Sequence, residues 1–162
     1  MLRYNEIYVA TKGIVFEVKF LEIVEARHEH FMDVYKLICE LENTLVDKRS
    51  LLKVYTHNLT SKDIHYILAV EDSRVVGFAS LHIQQLLHHA AKIGELQEII
   101  VCKEKQGVGI GRILFEAIKE IAVNNQCIQL EICCNQARKA SHEFYLKQGA
   151  KNSHNKFTLP IS

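Results

Sequence analysis

The sequence holds no apolar run approaching the ~18 residues that a membrane span requires. Arg3 and Glu6 interrupt the first ten residues, so no apolar signal core is expected there. A basic excess is missing as well. The formal net charge is +1, whereas a nucleic-acid binder would carry a basic surplus or stripe, so neither nucleic acid nor membrane is an expected partner. No Pro/Gly/Ser-rich linker, internal repeat or low-complexity tract divides the chain, and 162 residues suit one compact domain. Cysteine is present five times, at Cys39, Cys102, Cys127, Cys133 and Cys134. The count is odd, no C-x-x-C pair exists, and neighbours in sequence make poor disulfide partners. That excludes a disulfide framework and a zinc knuckle, and reads as reduced thiols of a cytoplasmic protein.

What is present is a succession of short periodic segments. Residues 1–15 read as an extension, with a short strand at Glu6–Val9, ahead of a single domain spanning 16–162. Phe16 to Phe20 alternates as a strand. Helices follow over His30–Leu41 and Lys48–Asn58, the first with Val34, Leu37, Ile38 and Leu41 on one face. His65–Val70 and Val75–Leu81 bracket the polar turn Glu71-Asp72-Ser73-Arg74, which predicts a hairpin. Another strand spans Gly94–Cys102, then a glycine-rich turn and a helix with Ile110, Ile113, Leu114, Ala117, Ile118, Ile121 and Ala122 on one stripe. A strand over Ile128–Cys133, a helix over Lys139–Gln148 stopped by Gly149, and a last strand over Lys156–Leu159 complete the order. This is a mixed α+β arrangement with one parallel crossover.

The chemistry is concentrated in the turn Gln106-Gly107-Val108-Gly109-Ile110-Gly111-Arg112. Glycines let backbone amides approach a ligand closely. The first N–H groups of a helix lack internal partners and sit at the positive end of its dipole, which suits a pyrophosphate. A Walker loop would need Gly-Lys-Ser/Thr, but Arg112-Ile113 follows Gly111. The dinucleotide fingerprint fails in both registers, with Arg112 or Leu114 at its last glycine. The plainer alternative is a tight strand-to-helix turn, which needs one glycine rather than three in alternation.

The spacing Q-x-x-G-x-G resembles the acetyl-CoA pyrophosphate loop of the GNAT superfamily of N-acetyltransferases. A second block, Leu130-Glu131-Ile132-Cys133-Cys134-Asn135 followed by Phe144-Tyr145-Leu146-Lys147-Gln148-Gly149, is similar to that superfamily's next motif. The resemblance implies a GNAT fold: a central mixed, mostly antiparallel sheet of six to seven strands flanked by about four helices. It implies acetyl-CoA as cosubstrate, held by residues 106–112 (Gln106, Gly107, Val108, Gly109, Ile110, Gly111 and Arg112). Its arm would lie along Ile99, Ile100 and Val101, with Asn135 as a further contact. By the same match Tyr145 is the general acid, and a phenol near sulfur can protonate a departing thiolate. The alternative for Tyr145 is an amphipathic core tyrosine. The acceptor ammonium, with an unperturbed pKa near ~10, must also lose a proton. Glu98, on the strand leading to the loop, is the candidate base. Glu95, three positions away, is expected on the opposite face of a regular strand.

The likeness extends further. Leu37-Ile38-Cys39-Glu40-Leu41, Leu87-His88-His89, Gly94-Glu95-Leu96-Gln97-Glu98, Phe144-Tyr145-Leu146 and Ser153-His154-x-x-Phe157 resemble bacterial aminoalkylphosphonate N-acetyltransferases. That implies direct transfer, in a ternary complex, to the primary amine of a small phosphonate-bearing acceptor. Many relatives carry Arg where this chain has Gln106. Cys39, Glu40, His88 and His89 become candidate acceptor-binding residues, and a homodimer is the default assembly. A phosphonate needs donors or cations, for which His82, His88, His89, Lys92 and Arg138 are available. A divalent metal is compatible with the nine histidines, but no pair has clean zinc spacing and no metal site is predicted. Rival readings are a GNAT enzyme for a polyamine, amino acid or protein N-terminus, and a non-catalytic acyl-CoA-binding module.

Overall fold

The computed structural model describes the backbone of residues 4–12 and 15–161, and side chains from residue 20 to 161. It falls into two compact units, Met1–Glu131 and Ile132–Ser162.

In the first unit, β1 (Tyr4–Lys12) pairs antiparallel with β2 (Val15–Glu25), with Tyr4 opposite Ile23 and Lys12 opposite Val15. The strand expected at Glu6–Val9 is therefore the middle of a longer one. Two helices come next, α1 (Phe31–Glu42) and α2 (Lys48–Asn58). Asn43, at φ 52°, closes α1 in the left-handed conformation that asparagine tolerates. Asp47 caps α2 by accepting the Ser50 N–H at 2.8 Å. Then β3 (Ile64–Glu71), β4 (Arg74–Leu86) and β5 (Ala91–Val101) add to β2 as an antiparallel meander. Helix α3 (Ile110–Asn124) follows, and β6 (Gln129–Ile132) takes the place beside β5 in the sheet order.

Helices cover both faces of the meander. On one, Phe78 and Tyr66 meet α1 and α2 through a chain of rings: Phe31 to Tyr55 at 5.6 Å, Tyr55 stacked on Tyr66 at 5.5 Å, Tyr66 edge-on to Phe78 at 5.4 Å. On the other, Ala69, Ala79, Leu81 and Leu96 are buried on the side of α3, whose Leu114, Ile118 and Ala122 recur at helical spacing. Gly77 admits this contact, because a Cβ there would lie 2.9 Å from Leu114 Cδ1 and 3.1 Å from the Ile100 carbonyl oxygen.

The second unit holds α4 (Lys139–Lys147), ended by Gly149 at φ 88°, the stop its sequence predicts. Two expectations change. The continuous antiparallel ladder has five strands rather than six to seven, with β6 only four residues long. Lys156–Leu159 is not a strand: Phe157 and Leu159 are 91% and 87% exposed, so its alternation has no surface to bury against.

Candidate functional site

The β4–β5 hairpin is not regular. Ser80 stands opposite Glu98 and Leu81 opposite Leu96, so Gln97 is an extra residue on β5, a β-bulge. Its consequence is chemical. Glu95 pairs with His82 and Glu98 with Ser80, and His82 and Ser80 are two apart on β4. Both carboxylates therefore share the face covered by α1 and α2, rather than lying on opposite faces as plain alternation predicts.

Around Glu98 the polar groups are ordered. Ser80, fully buried, accepts the Glu98 N–H at 3.2 Å and donates its hydroxyl proton to Glu98 Oε2. Tyr66 stands across β4 from them, opposite Ser80. Its hydroxyl accepts from Asn58 Nδ2 at 2.6 Å. Burial raises the Tyr66 pKa, the Asn58 bond opposes that, and the Glu98 charge adds to it. Gln84 Nε2 donates to Glu95 at 3.3 Å.

The glycine loop begins at the end of β5 and is clamped from several directions. Lys103–Lys105 forms a 3-10 turn whose first N–H is accepted by Glu40 of α1 at 2.8 Å. Lys105 forms an ion pair with Glu71, a carboxylate only 4% exposed at the end of β3. Gln106 folds its side-chain amide back onto the Val101 carbonyl oxygen at 2.8 Å. Gly107 at φ 80° and Gly109 at φ 97° then take left-handed conformations, and a Cβ on either would meet nothing within 4 Å. Buried Ile110 starts α3, and the Arg112 and Ile113 amides both donate to the Gly109 carbonyl at 3.0 and 3.2 Å. Among the described residues, the backbone N–H groups of Gly107, Val108, Gly109, Ile110 and Gly111 have no protein acceptor. Five donors in an open loop at the positive end of a 15-residue helix fit a pyrophosphate.

Beside the loop, β5 offers an edge. The Glu98 N–H reaches Ser80 Oγ and the Cys102 N–H reaches the Val76 carbonyl at 2.9 Å, both toward β4. By the alternation of a strand, the Ile100 amide also points to β4, whereas the Ile99 and Val101 amides point away from it. Near the start of β5, the Ile128 N–H, just before β6, donates to the Lys92 carbonyl at 3.0 Å.

In the second unit, Asn135 Oδ1 accepts the Ala137 N–H at 2.9 Å, and the Asn135 carbonyl accepts the Arg138 N–H at 3.0 Å, a turn that leads into α4. Tyr145 lies on α4 in the field of Cys134, Cys133 and Arg138. Burial first, then Cys134, pushes its pKa up to about 12 against the pull of Arg138, so its hydroxyl keeps its proton at neutral pH.

The structure thus gathers Glu98, the amides of the glycine loop and the β5 edge at one end of the β4–β5 hairpin. It does not bring His88 and His89 there. These two rings, 4.3 Å apart, sit in the turn at the other end, with His89 Nε2 3.4 Å from Glu131. Leu86, the last residue of β4, is six positions from Ser80, a span of roughly 20 Å along a strand. Lys92 lies at that far end too, opposite Gln85. Cys39 beside Tyr35 raises the Tyr35 pKa, the Tyr35 hydroxyl donates to the Val46 carbonyl at 3.2 Å, and Glu40 serves the loop. Of the cationic candidates within the first unit, only His82 is near Glu98, one paired position along the same face. Among the described residues, no group of three or more His, Cys, Asp and Glu is placed to hold a metal ion. A cavity of about 510 Å3 opens between β2, β3 and the end of α3, and none of the site residues predicted from sequence lines it. Ser80 was not predicted; a lone serine within the apolar run Val75–Leu81 is the one signal the sequence carries for it.

The sequence profile of the Acetyltransferase (GNAT) family matches residues 24–150. The chain is 38% identical over 144 residues to a Salmonella typhimurium protein named aminoalkylphosphonate N-acetyltransferase, covering 87% of this chain and 94% of that one. It is 26% identical over 110 residues to a Candida albicans glucosamine 6-phosphate N-acetyltransferase, covering 66% and 72% of the two. An aminoglycoside N-acetyltransferase solved in complex with CoA superposes with a TM-score of 0.80 at 15% identity, over 88% of this chain and 95% of the other. A transcriptional regulator from Bacillus halodurans superposes equally well, at 0.80 and 17% identity, over 87% and 99%. At these identities the two superpositions speak for the fold.

Proposed function

This chain belongs to the GNAT family of acetyltransferases, and from that premise we propose that it acetylates the primary amine of an aminoalkylphosphonate with acetyl-CoA. The observation that carries the acceptor is the 38% identity to a relative of that name, extending over 94% of its length. The second relative is named for glucosamine 6-phosphate, a compound that also carries both an amine and a phosphorus oxyanion.

The cosubstrate, when bound, supplies an activated acetyl group as a thioester. The free amides of residues 107–111 would hold its pyrophosphate, and the outward amides of Ile99 and Val101 would hydrogen-bond its arm. Glu98 would take a proton from the acceptor ammonium, giving a neutral nucleophile. Glu95, on the same face, would draw the ammonium toward it. Tyr145 would donate its proton to the departing sulfur, so that CoA leaves as the thiol, and its raised pKa keeps that proton in place at neutral pH until the transfer. Asn135 would contact the arm through groups its turn leaves available. Five free thiols support a reducing, cytoplasmic setting.

The test is release of free thiol from acetyl-CoA in the presence of aminomethylphosphonate, 2-aminoethylphosphonate, spermidine or a peptide amine, each with and without a divalent metal and a chelator. The proposal expects turnover with the phosphonates and at least tenfold lower kcat/KM elsewhere, a difference of about 1.4 kcal/mol in transition-state binding. Preference for spermidine or peptide would discard the acceptor and keep the enzyme class. Cofactor binding without turnover on any amine would favour a non-catalytic module.

A further inference from the structure

We infer that Ser80 is a positioning residue for the acetyl transfer, its buried hydroxyl holding the Glu98 carboxylate so that Oε1 alone is left to receive the acceptor's proton. The inference rests on the reading of Glu98 as the base. Ser80 sits in the middle of β4 with no exposed surface, between Ala79 and Leu81, where an apolar residue would serve packing equally well. Its one oxygen makes two bonds to a single residue. It accepts the Glu98 N–H at 3.2 Å and donates to Glu98 Oε2. A hydroxyl has one proton, and the bond from the amide points that proton at the carboxylate.

The bulge makes this necessary. An extra residue at Gln97 disrupts the ladder immediately before Glu98, and bulges re-aim the side chains beside them. Ser80 Oγ fastens both the backbone and the side chain of the re-aimed residue. Oε2 is then occupied, while among the described residues no donor is bonded to Oε1. In the reaction one N–H bond of the acceptor ammonium breaks, its electron pair stays on nitrogen, and the proton adds to Oε1 to give the carboxylic acid. A donor on Oε2 fixes the rotation of the carboxylate, so Oε1 keeps one direction toward the acceptor. The other titratable groups on this face are His82 and Glu95 one pair along, Tyr66 across β4, and Tyr55 on α2. Tyr35, Cys39 and Glu40 lie on α1.

The experiment is the pH profile of kcat/KM for the amine at saturating acetyl-CoA, in the wild type and in Ser80→Ala, Ser80→Cys, Ser80→Thr and Glu98→Gln. Ala and Cys remove the hydroxyl with different volumes, so a packing defect in one does not decide the result. Both should lower kcat for the amine about tenfold across the profile while KM for acetyl-CoA stays within a factor of two of wild type. Thr, which keeps the hydroxyl, should restore most of the wild-type kcat. If kcat is unchanged in Ala and Cys, or Thr fails to restore it, while Glu98→Gln is inactive, Ser80 is only a packing residue and the base reading stands. If Glu98→Gln keeps the wild-type profile, the base reading falls and this inference with it.

Discussion

At the scale of residues, the account turns on which groups carry protons. Glu98→Gln should lower kcat by about 10²–10⁴, the range of a general acid or base, while leaving the affinity for acetyl-CoA unchanged in a calorimetric titration. Tyr145→Phe should lower kcat by a similar order, with the largest effect on acetyl donors whose leaving group is most basic. A kcat within a factor of two of wild type in either variant would remove that residue from the mechanism. Tyrosine also offers a readout independent of turnover. Burial raises Tyr55 and Tyr145 to about 12, above the unfolded value near 10. Their folded forms hold protons more tightly, so that part of the stability is complete below about pH 10 and is lost as pH rises toward about 12. Ultraviolet difference titration should show at least two of the six tyrosines ionising well above pH 10, and six equal titrations near pH 10 in the folded protein would contradict this. The sequence named Tyr145 as a candidate through its F-Y-x-x-x-G context and Glu98 through its place on the strand leading to the glycine loop. The Ser80–Glu98 contact was not legible, because it joins residues 18 apart in sequence.

At the scale of elements, each feature of the loop and hairpin carries a separate expectation. Gly109→Ala places a side chain at φ 97° in open space, so its cost is backbone strain, ~1–2 kcal/mol, with no clash. The variant should raise KM for acetyl-CoA several-fold and leave KM for the amine alone, and steady-state kinetics with each substrate varied separately will show it. Gly77→Ala acts on packing instead. Its Cβ would press on fully buried Leu114 and on the Ile100 carbonyl, and overpacking of this kind costs ~1–3 kcal/mol. A lower melting temperature should follow, and an unchanged one would mean that α3 yields. Helices α1 and α3 were legible because burial leaves a helical period in the sequence, as in Phe31, Val34 and Leu37, whereas the end of α4 was legible from Gly149. The bulge was not. One extra residue at Gln97 leaves the apolar pattern of Ile93, Leu96 and Val101 plausible in either register, yet it changes the face on which Glu95 lies relative to Glu98. Lys156–Leu159 failed for the opposite reason: alternation was present and a neighbouring strand was not.

At the scale of the whole molecule, the family assignment makes acetyl-CoA a ligand of the native state, and ligands of the native state stabilise it. At one hundred times its dissociation constant the cosubstrate should add about 2.7 kcal/mol, visible as a rise in melting temperature that Gly109→Ala blunts. The central claim is narrower than binding: an acetyl group passes from sulfur to the nitrogen of an aminoalkylphosphonate. Proton and phosphorus NMR of the purified protein with acetyl-CoA and 2-aminoethylphosphonate tests it most directly. The account predicts an N-acetylated phosphonate appearing in step with free CoA, one molecule for each thiol released. An unchanged phosphonate, whether CoA is released to water or not at all, would contradict it.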